Sequence, residues 1–294
     1  MHLDSQTNDM HGNGQLFIVA TPIGNLADIS YRAVETLKSV HLIAAEDTRV
    51  SRRLCTHYGI DTALISCHEH NEEKVTGQLL EHIRAGKDIA LISDAGTPLI
   101  NDPGYRLVSR LRTLGIKITP IPGASSPIAA LCASGLPSDR FIYEGFLARS
   151  GKSRKTQIEA IARARCTSIV LESPHRLLKT LHDLRSACAD TRLACVAREI
   201  TKLHETFLYG TLAEVLASMQ NSPLKGEIVL LIGPDTEIHT VSDATICQAL
   251  AIAADENMPP SALAKHVARQ LDVSRSRVYA LLLEEQRASC RDVA

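Results

Sequence analysis

Four short segments in the first 130 residues set small, polar and charged residues where apolar runs stop: ATPIGN (20–25), AEDTR (45–49), SDAGTP (93–98) and IPGASS (121–126). Small residues let a ligand approach the backbone, and Asp94 can accept from hydroxyls or amines. In IPGASS, Ser125 and Ser126 open a run of helical character, so unpaired backbone N–H groups and two hydroxyls make a polar, slightly electropositive socket. AEDTR brings two acids and a base together, with Arg52 and Arg53 a turn later, a set able to hold a ribose and phosphates. Taken singly, each segment also reads as turn or capping chemistry. None matches G-x-G-x-x-G or G-x-x-x-x-G-K-[ST], which disfavours a Rossmann dinucleotide site and a P-loop.

Further along lie three more groups. His68-Glu69-His70-Asn71-Glu72 is dense in polar groups. Two histidines at i, i+2 without a third ligand nearby argue against a metal, and a loop offering a general base fits better, beside the plain surface-loop reading. Residues 149–165 carry Arg149, Lys152, Arg154, Lys155, Arg163 and Arg165 against Glu159 alone. The Gly- and Ser-containing start of that stretch reads as a basic loop suited to a phosphate backbone, or as a solvated linker. Near the end, LAKHVARQLDVSRSRVYALL has the spacing of a helix-turn-helix with Arg275 and Arg277 in the first turn of its second helix; a packing cap is the plainer alternative.

The elements that must position these groups follow from periodicity. Apolar runs at 16–20, 41–45, 88–92 and 116–119 read as strands, and 30–38, 72–85, 103–114 and 127–135 as helices. That β-loop-α repetition predicts an α/β layer with a mostly parallel sheet, in which ligands bind at the carboxyl ends of strands. Those ends carry the four segments. Gly135-Leu136-Pro137-Ser138 is the candidate hinge into a second alternating region. There strands are expected at 141–143, 168–171, 193–197, 205–209 and 227–232, and helices at 156–165, 176–187 and 212–219, with a mixed sheet. From residue 240 only helical stretches remain, at 243–254, 260–270 and 274–287. The expected division is therefore a disordered tail (1–13), an N-terminal α/β domain (14–135), a second α/β domain (136–239) and a C-terminal helical module (240–294).

Composition bounds the rest. With 294 residues the chain has room for two domains and a small module at ~100–200 residues each. Hydrophobic residues are 45% and charged residues 22%, which supports packed cores rather than global disorder. Lys+Arg is 32 and Asp+Glu 33, so a nucleic-acid surface must be a local patch. There is no Trp and aromatics are 3%, which supplies little for a base-stacking platform or a membrane belt. No apolar run approaches the ~18 residues of a spanning helix, and the polar start lacks a signal-peptide core, so a cytoplasmic protein is expected. The eight cysteines contain no C-x-x-C pair and read as reduced core thiols.

In order, VATPIGNLADIS, AEDTR, HEHNE, SDAGTPLINDPGY, PIPGASS, GLPSDRF, ESPHR, REITKLHE and KGEIVLLI resemble one family, the ribosomal RNA small subunit methyltransferases I of the tetrapyrrole methylase superfamily. The resemblance covers roughly residues 14–290. It implies 2′-O-methylation of a cytidine in 16S rRNA of the small ribosomal subunit, with S-adenosyl-L-methionine as methyl donor. It also implies a tetrapyrrole-methylase-like fold of two α/β domains with the donor in the cleft between them, a C-terminal helical module, and a homodimer. Carried over residue by residue, it implies donor contacts at Ile23, Gly24, Asp94, Ala95, Thr97, Gly123, Ser125 and Ser126, and softer matches at Ser173, Glu199 and Gly226. The superfamily's usual Gly-Asp-Pro stands here as Ser93-Asp94-Ala95, a departure that weakens a porphyrinoid-substrate reading.

Asp47, His68 and Glu69 are the candidate proton acceptors for a ribose hydroxyl. Arg49, Arg149, Lys152, Arg154, Lys155, Arg275 and Arg277 are the candidate RNA contacts. No metal is expected, because a sulfonium methyl is already activated. Two other classes stay open: a methylase of a small tetrapyrrole-like substrate, and a non-catalytic rRNA-binding assembly factor that keeps only the fold.

Overall fold

The computed structural model describes residues 14–220, 225–236, 242–254, 258–271 and 273–291. The expected tail at 1–13 lies outside the described residues. The chain divides into two compact units, residues 1–235 and 236–294.

The first unit holds two five-stranded sheets. The first sheet is built from β1 (Leu16–Val19), β2 (Leu42–Ala45), β3 (Leu64–Ser66), β4 (Ile89–Ile92) and β5 (Ile118–Ile121), in the order β3-β2-β4-β1-β5. All its pairings are parallel. Helices α1 (Tyr31–Ser39) and α2 (Thr48–Tyr58) pack on one face, around Val19, Leu37, Ile43 and Cys55. Helices α3 (Glu72–Arg84) and α4 (Tyr105–Thr113) pack on the other, around Leu16, Leu79, Leu91 and Leu107. Covered on both sides, β4 is buried at every residue, which is why it reads as an unbroken apolar run. Helix α5 (Ser126–Ala133) closes this half with Pro127 in its first turn.

The helix ends follow their residues. Ser30 Oγ accepts from the N–H of Ala33, and Asp47 Oδ1 accepts from that of Arg49. Helix α2 ends at Gly59, whose φ of 61° is the left-handed conformation a C-cap needs. Helix α4 has no side-chain cap of its own. The buried Glu72 carboxylate, on α3, accepts from the Leu107 N–H instead, at 2.9 Å.

The second sheet contains β6 (Phe141–Phe146), β7 (Thr167–Glu172), β8 (Leu193–Arg198), β9 (Thr206–Thr211) and β10 (Ile228–Ile232), in the order β6-β7-β10-β8-β9. Only β6 and β7 run parallel, so the sheet is mixed. Central β10 is buried at all five residues. Helices α6 (Gly151–Arg163), α7 (Pro174–Ala187) and α8 (Leu212–Gln220) cover one face through Ile161, Leu181 and Val215. Helix α5 covers the other, where Ala130 and Leu131 meet Ile169, Val229 and Leu231.

The second unit is helical: α9 (Asp243–Ala254), α10 (Pro260–Leu271) and α11 (Arg275–Arg291). It has its own core of Ile246, Leu250, Leu263, Val267, Val278 and Leu282. Among the described residues no helix is long and apolar enough to cross a membrane.

Periodicity left out α2 and β3. The first carries three buried residues, Ser51, Leu54 and Cys55, among cations. The second is three half-buried residues at the sheet edge. Helix α6 starts at Gly151, five residues before the expected start, so most of the expected basic loop is helical. Of the cysteines, Cys55, Cys67, Cys166 and Cys195 are buried free thiols, whereas Cys132 is exposed.

Candidate functional site

The exits of β4, β1 and β5, three neighbours in the first sheet, open into a cleft of about 400 Å³. From this side it is lined by Ile23, the 95–97 and 100–102 segments, Ser125, Ser126 and Pro127. The opposite wall comes from the second sheet: Tyr143 and Phe146 of β6, residues 171–174 at the exit of β7, Ile200 after β8, and residues 226–229 entering β10. The antiparallel register explains that convergence, since Ile228 pairs with both Glu172 and Arg198 and so brings the start of β10 to the exits of β7 and β8.

Ties between loops hold the near wall. Thr21 and Gly96 form an isolated antiparallel bridge, and the Thr21 hydroxyl donates to the Ser93 carbonyl at 3.2 Å. Thr97 Oγ1 donates to the Ala124 carbonyl at 3.0 Å, joining the loop after β4 to the loop after β5. Gly123 lies so close to the first loop that a Cβ would sit 2.9 Å from that of Ala20. Among the described residues four non-glycine residues have positive φ: Leu99, Asn101, Glu199 and Thr201. All four sit in the two loops that flank the cleft, and such conformations persist only where surroundings impose them. Asn101 also spans the two walls, because its Oδ1 fills the space a Cβ at Gly145 would need.

Seven of the residues expected to contact a donor line the cleft: Ile23, Ala95, Thr97, Ser125, Ser126, Ser173 and Gly226. The other four stand behind it. Gly24 packs against Thr201 and Lys202, where a side chain would collide with both. Gly123 seats the β5 loop on Ala20. Asp94 Oδ1 accepts from the Asp47 N–H at 2.9 Å. Glu199 lies under Gly226, its Oε1 accepting from the Glu227 N–H at 2.8 Å and from Lys202 Nζ at 2.9 Å.

The three expected proton acceptors lie elsewhere. Asp47 is the N-cap of α2, and its carboxylate also takes the Arg49 guanidinium at 2.6 Å. Those hydrogen bonds hold its pKa at about 2, a poor proton acceptor near neutrality. His68 and Glu69 follow the edge strand β3 and do not line the cleft; the His68 N–H donates to Asn71 Oδ1.

The carboxylates near the cleft differ in their partners. Glu172 is fully enclosed and accepts from the Ser173 N–H and the Thr180 hydroxyl, with Arg176 at 3.3 Å. Asp102 lines the cleft and forms no ion pair among the described residues. Burial pushes its carboxyl up from the usual range, and neighbouring Asp94 adds to the rise. Burial likewise raises Asp94 and Glu46. The Tyr143 hydroxyl is buried with no hydrogen-bond partner among the described residues, and burial raises its pKa. Sequence reading missed Asp102 and Tyr143. The signal for Asp102 was present in NDPGY, which continues the SDAGTP loop.

The expected RNA contacts divide by environment. Arg49, Arg149, Lys152 and Lys155 are exposed. Arg154 is the exception to the surface reading. It is 5% exposed, paired with Asp183 at 2.7 Å and donating to Thr180 Oγ1 and the Ala148 carbonyl, so it binds α6 to α7 and to its own chain. In the helical unit Arg277 pairs with Asp243 at 2.5 Å, and Arg275 reaches the Ser261 carbonyl at 3.4 Å.

Comparison with known proteins bears on what such a cleft takes. Residues 15–216 match the family described as Tetrapyrrole (Corrin/Porphyrin) Methylases. Proteins named Ribosomal RNA small subunit methyltransferase I are similar in sequence. The one from Escherichia coli O157:H7 is 44% identical over 94% of this chain and 97% of its own. That from Synechocystis is 43% identical over 92% and 98%, and that from Pseudomonas aeruginosa 50% over 74% and 78%. Among solved structures, a cobalt precorrin-4 methyltransferase aligns with a TM-score of 0.58 at 18% identity, over 74% of this chain and 94% of its own. A uroporphyrin-III C-methyltransferase from Thermus thermophilus, complexed with S-adenyl homocysteine, gives 0.53 at 19%, over 75% and 97%. Those two likenesses concern the fold.

Proposed function

The chain belongs to the ribosomal RNA small subunit methyltransferase I family, within the tetrapyrrole methylases, and is a methyltransferase; on that footing we propose that it 2′-O-methylates a cytidine of 16S rRNA in the small ribosomal subunit, with S-adenosyl-L-methionine as methyl donor. The observation that carries this reading is the coincidence of the family's motif segments with one cleft: the loops after β1, β4 and β5 face the start of β10 across it.

The cleft's residues suit the donor. Ala95, Gly96 and Gly226 leave the backbone open to a flat adenosyl group, and Ser125 and Ser126 offer hydroxyls beside the N-terminus of α5. The buried Tyr143 hydroxyl lacks a partner among the described residues, and Asp102 supplies a carboxylate that suits an ammonium group. When bound, the donor supplies a methyl group already activated on a sulfonium. The protein's task is then alignment, because holding a hydroxyl in line corresponds to effective molarities of ~10⁵–10⁸ M. The shared Thr97–Ala124 and Thr21–Gly96 ties keep the near wall rigid enough for that. A general base adds ~10²–10⁴-fold. Burial raises Asp94 and Asp102 whereas hydrogen bonds depress Asp47, which makes Asp47 the poorest proton acceptor of the three. A homodimer belongs to this reading and is checked by sedimentation.

The test is incubation with methyl-labelled S-adenosylmethionine and 30S subunits, followed by nuclease digestion and mass spectrometry. Labelled 2′-O-methylcytidine is expected. Label on a base, or transfer to a porphyrinoid and not to the subunit, overturns the proposal.

A further inference from the structure

Helix α2 carries a row of exposed cations. Arg49, Arg52, Arg53, Thr56 and His57 line one groove along it, at helical spacing i, i+3, i+4, i+7 and i+8. The opposite side of the helix buries Ser51, Leu54 and Cys55 against the sheet, so the cationic face is fixed outward. Arg49 shares its charge with Asp47, whereas Arg52 and Arg53 form no ion pair among the described residues. From Arg49 to His57 the row extends for ~12 Å.

The row starts beside one of the loops that line the cleft. The Asp47 N–H, in the residue that caps α2, donates to Asp94 Oδ1, next to the lining residue Ala95. Glu46, at the other side of the cap, is close enough to Asp102 for that carboxylate to raise its pKa. Asp102, which lines the cleft, with Glu46, Asp47 and Asp94 behind it therefore makes an acidic lip, and the α2 arginines follow Asp47 along the helix. An acidic lip repels a phosphate backbone, and a cationic groove outside the lip attracts one. A single nucleotide drawn out of its stack can then cross the lip while its flanking phosphates stay on the helix.

Resting on the RNA-methylation reading above, we propose that the α2 groove of Arg49, Arg52, Arg53 and His57 seats the phosphate backbone of the RNA strand that delivers its nucleotide to the cleft. Of the other candidate RNA contacts named from sequence, three are engaged within the fold. Arg154 is buried on Asp183, Lys155 lies 3.9 Å from Glu159, and Arg277 is paired with Asp243. Helix α4 also carries exposed Arg106 and Arg110, but it packs on the opposite face of the sheet from α2.

The test compares R52A/R53A with R106A/R110A and the unaltered protein. Binding to 30S subunits is measured across a salt series, methylation kinetics on the same subunits, and S-adenosylmethionine affinity by calorimetry. Losing two single-strand phosphate contacts should lower the slope of log K against log salt by ~1.4. For R52A/R53A we expect that loss of slope, a raised KM for subunits, an unchanged kcat and unchanged donor affinity. An unchanged slope and KM overturn the assignment, as does a loss confined to R106A/R110A, which would move the RNA to α4. A fall in donor affinity equal to the loss of activity also overturns it, because the arginines would then act on the cleft itself. Should the unaltered protein methylate no subunit, the RNA reading fails instead, and the two failures are distinct.

Discussion

The Asp47 carboxylate accepts from the Arg49 backbone and from its guanidinium, and its pKa falls from 3.8 to about 2. A carboxyl depressed on folding contributes stability above its unfolded pKa, and that contribution is lost as pH falls through the folded value. The window here is therefore about pH 4 down to about 2. Asp47→Asn keeps a capping oxygen but removes the titration. Its urea midpoint should fall less than that of the unaltered protein across this window, and parallel curves would show that the pair contributes nothing there. Arg154 illustrates the same local logic in a buried setting. Removing it leaves the Thr180 hydroxyl without its Arg154 donor and Asp183 without its ion partner, and Arg154→Ala should cost about 1.5–3 kcal/mol by urea denaturation, the range for hydrogen bonds to charged groups. Affinity for RNA should follow that stability loss and show no change in salt slope. At Gly226 the φ is 90° and a Cβ would fall 2.3 Å from the Glu199 carboxyl carbon. Gly226→Ala is expected to displace Glu199 from the Glu227 N–H and weaken donor binding in calorimetry. Residue types and spacing in ATPIGN, SDAGTP and IPGASS were enough to find one wall of the cleft. They were not enough to separate Asp47 from Asp102, since both are acids beside a strand exit and only the partners each acquires on folding distinguish them.

Elements with an apolar period were legible from the chain alone. β4 and β10 are uninterrupted apolar runs because both faces of each are covered, and α3 shows Val75, Leu79 and Ile83 on one side. What escaped was held by tertiary contact. The first buried residue of α6 is Arg154, and a pattern of hydrophobicity cannot see a helix whose first anchor is an ion pair across to α7. β3 contributes three residues whose pairing depends on β2, and α2 has a polar outer face that masks its short buried stripe. The coupling of α3 to α4 belongs here too. Gly104, at the start of α4, has no side chain to cap the helix, and Glu72 supplies the acceptor from 35 residues away. Glu72→Ala leaves the buried Leu107 N–H unsatisfied, at a cost of about 1–3 kcal/mol. Because Asn101 and Asp102 immediately precede α4, the change should also speed amide exchange in its first turn and lower donor affinity. Protection of α4 at the unaltered level would show that the helix holds without this cap.

At the scale of the whole chain, every residue lining the cleft falls between Ile23 and Val229, within the first unit. The second unit has its own core on α9, α10 and α11. On the proposed function, donor binding rests on residues up to Asp235, and its thermodynamic footprint should be there as well. A ligand that binds only the folded state stabilises it by about 2.7 kcal/mol at 100 times its Kd, which for a unit of this size raises Tm by roughly 5–10 °C. A chain ending at Asp235 should show that rise with S-adenosylmethionine, and calorimetry should give a Kd within about twofold of the full chain's, a difference of only ~0.4 kcal/mol. The salt dependence of 30S binding separates the remaining roles. If α9–α11 carry RNA contacts through Arg275 or Arg277, the shortened chain loses slope as R52A/R53A does, and the two losses add when combined. A shortened chain that folds with no Tm response to the donor would place part of the cleft's stability in the helical unit, and the confinement of donor binding to residues 14–235 would fall.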